Sequence, residues 1–269
     1  MGANPKGYAN SELVIAPSEL TELLDSVAEG PAPAIIDVRP AEDFAAGHLP
    51  GACHFDLYGL TLLDTAPAPL EAFMYMIKTL LASRGVSADA PAIVYDDKAG
   101  MRAARAFWFL DYFGHRQVRV LDGGFDAWRR AGHCVTTETT PPAARGWEAA
   151  RGRSERLATW RDLADRLGRP GAVILDTRSD GEYAGTTKRA RRGGAVPGAV
   201  HVEWTRNLDA DGEFQPAEAL QAMYAAAGVT ADQEIIAYCH GGYRSAHSYL
   251  ALRLLGYPRV RNYVGSWKE

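Results

Sequence analysis

Residues 235–257, IIAYCHGGYRSAHSYLALRLLGY, concentrate the side chains most able to do chemistry. An apolar run ends at Tyr238 and is followed by Cys239-His240-Gly241-Gly242-Tyr243-Arg244. Ser245 then stands where an N-cap would open the helix SAHSYLALRLL, and Gly256 where a C-cap would close it. This places Cys239 at the carboxyl end of a strand, the edge where ligands bind in open α/β sheets. Two glycines let the backbone turn tightly, with successive N–H groups facing into the loop. Those N–H groups, the positive end of the helix and the Arg244 guanidinium all favour negative charge at the centre. A cysteine so placed is predicted to have a depressed pKa and to be a thiolate at neutral pH. The same field attracts an anionic substrate. A lone cysteine on a buried strand is usually a small hydrophobe, and Cys53 and Cys134 are read that way. For Cys239 the combination of strand, thiol, paired glycines, arginine and helix favours the nucleophile.

The elements that must position this loop repeat within the chain. The segment AIIDVRPAEDFAAGHLPGACHFD (34–56) returns as VILDTRSDGEYAG…GAVPGAVHVEW (173–204). Asp37-Val38-Arg39 matches Asp176-Thr177-Arg178, and Pro50-Gly51-Ala52 matches Pro197-Gly198-Ala199. The second copy carries eight extra residues around TTKRARRG (186–193). AIVYDD (92–97) matches IIAYCH (235–240), and VRVLDGG (118–124) resembles VRNYVGS (260–266). A period of about 140 residues is a domain duplication, since solenoid repeats span only about 20–50. Each copy alternates short β-branched runs (Ala34-Ile35-Ile36, Ala92–Tyr95, Val118–Leu121) with helical stretches such as PSELTELLDSV (17–27) and ARAFWFLDYFGH (104–115). That alternation predicts an α/β fold with a mostly parallel sheet flanked by helices in each copy. The Thr-, Pro-, Arg- and Gly-rich stretch 136–156 reads as the connection. The expected division is 10–138 for the first domain, 139–156 for the linker and 157–269 for the second.

Composition narrows the function classes. The 269 residues are 47% hydrophobic and 23% charged, with a net charge of -4, which gives no reason to expect nucleic acid. No apolar stretch has signal-peptide or membrane-span character. Three widely spaced cysteines with no CxxC pair argue against a disulfide framework and a zinc site, and predict a reducing, cytoplasmic setting.

Here the chain resembles the rhodanese family, and the tandem thiosulfate/mercaptopyruvate sulfurtransferases in particular. The resemblance covers roughly residues 11–269. It rests on the paired Asp-x-Arg motifs, the two Pro-Gly-Ala turns, LDGGFDAW (121–128) and the six-residue loop from Cys239 to Arg244. In that family the second domain carries the active cysteine and the first is degenerate. Asp96, in YDDKAGMRAAR, stands at the position of Cys239, so the first domain is expected to be catalytically silent and to wall the cleft.

The resemblance implies a persulfide on Cys239, filled by a small anionic donor and emptied by a thiophilic acceptor, cyanide or a thiol, with no cofactor or metal. It implies that Arg244 and the loop (His240, Gly241, Gly242, Tyr243, Ser245) hold the sulfur and its donor. Arg178 matches a position associated with donor binding, the alternative being a salt bridge to Asp180 or Glu182. Arg189, Arg191 and Arg192 could reach an anion, although a solvated basic loop explains them too. His240 is given no proton-transfer role. The cationic loop favours thiosulfate over 3-mercaptopyruvate, whose enzymes carry a threonine where Arg244 stands. Cysteine phosphatases need Cys-x5-Arg, one residue more than is present. A non-catalytic binding module usually lacks the cysteine. A monomer is expected. Tandem relatives commonly continue past Trp267-Lys268-Glu269 with another Trp, which leaves C-terminal packing open.

Overall fold

The computed structural model describes residues 4–25, 32–88, 90–139, 141–142 and 152–269. Strands β1 (Val14–Ile15), β2 (Ala34–Asp37), β3 (Ala52–His54), β4 (Ala92–Tyr95) and β5 (Val118–Leu121) form one sheet in the order β1-β5-β4-β2-β3. Strands β6 (Leu157–Ala158), β7 (Ala172–Asp176), β8 (Val200–His201), β9 (Glu234–Tyr238) and β10 (Val260–Tyr263) form the second, in the matching order β6-β10-β9-β7-β8. Every pairing is parallel. Helices cover both faces, so the central strands are apolar without alternation: all four residues of β4 are buried.

The first sheet carries helices α1 (Pro17–Asp25), α2 (Ala41–Ala46), α3 (Pro67–Ala82), α4 (Met101–Tyr112) and α5 (Gly124–Arg130). The second carries α6 (Trp160–Arg166), α7 (Asp180–Ala184), α8 (Ala217–Ala226) and α9 (Tyr243–Leu254). Helices α4 and α9 follow the central strands of their sheets and pack against each other across the domain boundary. Phe107, Trp108 and Phe109 on α4 and Tyr249, Leu250 and Leu252 on α9 are buried there. Each such side chain contributes roughly 1.5–3 kcal/mol by leaving water. At the polar end of this interface Asp111 accepts from the Tyr249 hydroxyl and pairs with Arg153 at 3.0 Å and Arg253 at 3.2 Å.

Three expectations change. Ser245 is not the N-cap of α9: Gly242, at φ 84°, turns the chain into the helix three residues earlier and frees the Ser245 hydroxyl for the loop. Cys134 is exposed and lies on no strand, whereas Cys53 is half-buried on β3. The C-terminal turn Ser266–Lys268 is firmly packed, with the Trp267 ring stacked 6.2 Å from Tyr238 and Glu269 accepting from the Thr65 hydroxyl at 2.8 Å. Part of the expected linker, residue 140 and residues 143–151, and the end of the stretch around α1, residues 26–31, lie outside the described residues.

Candidate active site

Cys239 follows β9 directly and is 1% exposed, at the floor of a cleft of about 410 Å³ between the two domains. The first domain contributes Tyr58, Gly59, Thr61 and Met101 to the walls, and the second contributes His240, Gly241, Tyr243, Arg244, Arg189 and Lys268. The Tyr243 hydroxyl donates to the Leu57 and Leu60 carbonyls, tying the loop to the first domain.

The sulfur sits in a nest of donors. The Gly242 N–H meets Sγ at 3.1 Å, and the Ser245 hydroxyl lies 3.5 Å from it. That hydroxyl has one proton and also approaches Asn262 Oδ1 at 2.6 Å, so the proton is shared between the two acceptors. Burial alone would push the Cys239 thiol up. The Arg244 charge, the Ser245 hydroxyl and the Ser245 and Gly241 N–H groups outweigh it and hold the pKa below the ordinary thiol value.

Arg244 is not free. It is bidentate on Glu182, at 2.5 and 3.0 Å, while facing the sulfur. Burial would raise the Glu182 carboxyl, but Arg244 and the Ser179 capping contacts hold it down to about 2. Arg189 approaches the same carboxylate at 3.8 Å and remains 63% exposed at the cleft, whereas Arg191 and Arg192 are exposed and do not line it. His240 lines the cleft and is kept neutral by burial and by Lys268 and Arg244.

Arg178 does not reach the cleft. Its guanidinium is 2% exposed, pairs with Asp176 at 2.5 Å and donates to the Gly194 carbonyl, under the Trp267 ring. Neither Asp180 nor Glu182 is its partner. The first copy repeats this arrangement: Arg39 pairs with Asp37, donates to Gly47 and lies under Phe125. The same buried Asp–Arg pair thus stands in both copies, with and without the cysteine.

In the first copy Asp96 stands where Cys239 stands in the second. Asp96 fills its own loop, its carboxylate accepting from the N–H groups of Gly100 (2.8 Å), Arg102 and Ala103 (3.1 Å each). Burial nevertheless raises that carboxyl to about 6.

Sequence reasoning missed Ser266. In both copies a C-terminal turn caps the loop: Phe125 N–H donates to Asp96 O in the first, and Trp267 N–H to Cys239 O in the second. The pivot is Gly124 at φ 58° in one and Ser266 at φ 57° in the other, the sole non-glycine residue with positive φ among the described residues. The serine accepts that strain while its hydroxyl receives the Cys239 N–H at 3.1 Å. The mismatch of Gly124 with Ser266 was a usable signal. Glu182, Arg105 and Lys268 gave none, because their neighbours are distant in sequence.

Two parallel α/β domains with one cysteine of lowered pKa in an N–H cradle between them define a class of α/β proteins with a thiol-centred site. The chain belongs to the rhodanese family: the rhodanese-like domain matches residues 17–131 and again residues 159–269. It is 35% identical to the thiosulfate sulfurtransferase of Azotobacter vinelandii, over 97% of this chain and 95% of that one. It is 35% identical, with the same coverage, to the thiosulfate sulfurtransferase of Pseudomonas aeruginosa. It is 34% identical to the sulfur carrier protein TtuD of Thermus thermophilus, over 98% and 95%. The anaerobic ergothioneine biosynthesis enzyme from Chlorobium limicola shares the fold, with a TM-score of 0.83 at 20% identity over 97% of this chain and 68% of that one.

Proposed function

We propose that the protein is a thiosulfate sulfurtransferase that carries sulfur on Cys239. The observation that carries this reading is the buried, low-pKa sulfur facing a cationic cleft, in a chain whose full-length relatives bear that name. The Cys239 thiolate attacks the outer sulfur of thiosulfate. The donor's S–S bond breaks and sulfite leaves with the electron pair, giving the Cys239 persulfide anion. Cyanide or a thiolate then takes the outer sulfur, and the bonding pair returns to Cys239 as thiolate. The N–H groups of Gly241, Gly242 and Ser245 and the Arg244 guanidinium stabilise both anions. Arg189 and Lys268 draw the dianionic donor to the mouth. Residues 10–138 act as the silent wall, 139–156 as linker and 157–269 as the catalytic domain. The protein works as a cytoplasmic monomer. Its three cysteines are all free, as a reducing compartment requires. Among the described residues no helix is long and apolar enough to cross a membrane.

The test follows thiocyanate formation with thiosulfate and 3-mercaptopyruvate as competing donors. Thiosulfate should be preferred and turnover should vanish in Cys239→Ser. Preference for 3-mercaptopyruvate would reassign the donor, and turnover surviving in the variant would refute the persulfide.

A further inference from the structure

The silent first domain sends one arginine into the second domain's active loop. Arg105 lies midway along α4 among Ala104, Ala106, Phe107 and Trp108, and its side chain is fully buried. The other two deeply buried arginines, Arg39 and Arg178, each hold an aspartate. Arg105 has no carboxylate partner among the described residues. Its Nη1 donates to the Gly242 carbonyl at 2.7 Å, while Nε and Nη2 have no acceptor there. Its guanidinium lies 4.7 Å from the Phe109 ring and 4.9 Å from that of Tyr243.

An unpaired buried charge is strongly unfavourable unless an anion compensates it. The nearest candidate anion lies across Gly242, whose N–H meets Cys239 Sγ at 3.1 Å while its carbonyl accepts from Arg105 and, at 3.3 Å, from Asn262 Nδ2. Gly242 is thus gripped from both sides. Its φ of 84° suits glycine, and a Cβ there would fall 2.0 Å from Arg105 Nη1.

We propose that Arg105 is a positioning residue for sulfur transfer, supplied by the first domain: it holds the Gly242 carbonyl so that the Gly242 N–H faces the sulfur, and its uncompensated charge favours the thiolate and the persulfide anion. This rests on reading Cys239 as the nucleophile. Burial pushes Arg105 down to about 10, so it stays cationic at neutral pH, and Tyr243 and Cys239 pull it back up. The other charged or titratable groups facing the loop are Arg244 with Glu182, Arg189, His240, Lys268 and Tyr243, and Arg102 on α4 is turned to Asp56. The first domain thereby becomes part of the thiolate's electrostatic environment as well as a wall.

The experiment is the pH dependence of iodoacetamide alkylation at Cys239, followed by peptide mass in the full chain and in Arg105→Lys, Arg105→Gln and Arg105→Met. The Gln and Met variants should raise the midpoint by about one unit, so that the rate well below it falls about tenfold, and Lys should restore most of it. In thiosulfate turnover kcat should fall while KM stays within about twofold, because Arg105 does not line the cleft. Profiles that superimpose on the native one in variants with native melting would overturn the proposal, as would a rise in KM alone. If Arg105→Met does not fold, the Lys and Gln pair carries the same comparison, since these two differ chiefly in charge. A native midpoint in the ordinary thiol range would instead sink the nucleophile reading.

Discussion

At Cys239 burial and the surrounding donors pull the thiol in opposite directions, and the donors prevail. A thiol held below its usual range of about 8.5 keeps its nucleophile in use down to its own pKa, so sulfur uptake should persist below that range and fade only as pH falls through it. Arg244→Met should raise that pKa and lower kcat/KM for thiosulfate by about 10- to 1000-fold in steady-state assays. It should also destabilise the protein, because the buried Glu182 loses its bidentate partner and keeps only the Ser179 cap and Arg189 at 3.8 Å. Adding Glu182→Gln should restore melting temperature without restoring activity, which separates the two roles of the arginine. The thiol, the glycines and Arg244 were legible in the sequence because they are consecutive. Of the two readings of Arg178 the structure has the salt bridge, but to Asp176 two residues away on its own motif rather than to Asp180 or Glu182, as in the matching Asp-x-Arg of the first copy.

At the scale of elements, the loop and the C-terminal turn are one device. Trp267 and Lys268 N–H groups donate to the carbonyls of Cys239 and His240, and Ser266 holds the Cys239 N–H. The two loop glycines should therefore behave differently. Gly242→Ala forces a Cβ onto Arg105 and the Val264 carbonyl at a left-handed φ, and should lower stability by about 1–3 kcal/mol in urea unfolding and abolish most turnover. Gly241→Ala meets the Thr61 side chain at 3.1 Å and the end of Lys268 at 3.7 Å, both on side chains that can give way, and should keep most of both. Strand identities were readable because both faces of each sheet are covered, which leaves continuous apolar runs. The start of α9 was not, because a glycine at positive φ can open a helix where serine is the expected cap.

At the scale of the molecule, duplication yields two cradles, one filled by its own carboxylate and the other open to a cleft, with the interface between α4 and α9 joining them. That interface carries a pH dependence. His247 is fully buried, faces the Ala99 carbonyl with Nε2 at 2.8 Å and Asn207 with Nδ1, and burial lowers it to about 4. A histidine depressed in the folded state gives stability that is intact above about pH 6.5 and is lost as pH falls toward 4, on the order of 3 kcal/mol in all. His247→Gln should accordingly show a shallower loss of stability across that window in urea titrations. The repeat was visible in the sequence, but the partners across the interface were not, since no local pattern pairs α4 with α9. The central claim, that Cys239 carries the transferred sulfur, is tested most directly by the mass of the intact protein after thiosulfate and again after cyanide. The account predicts a gain of one sulfur atom, mapped to the Cys239 peptide and removed by cyanide as thiocyanate. No gain, or a gain that persists in Cys239→Ser, would contradict it.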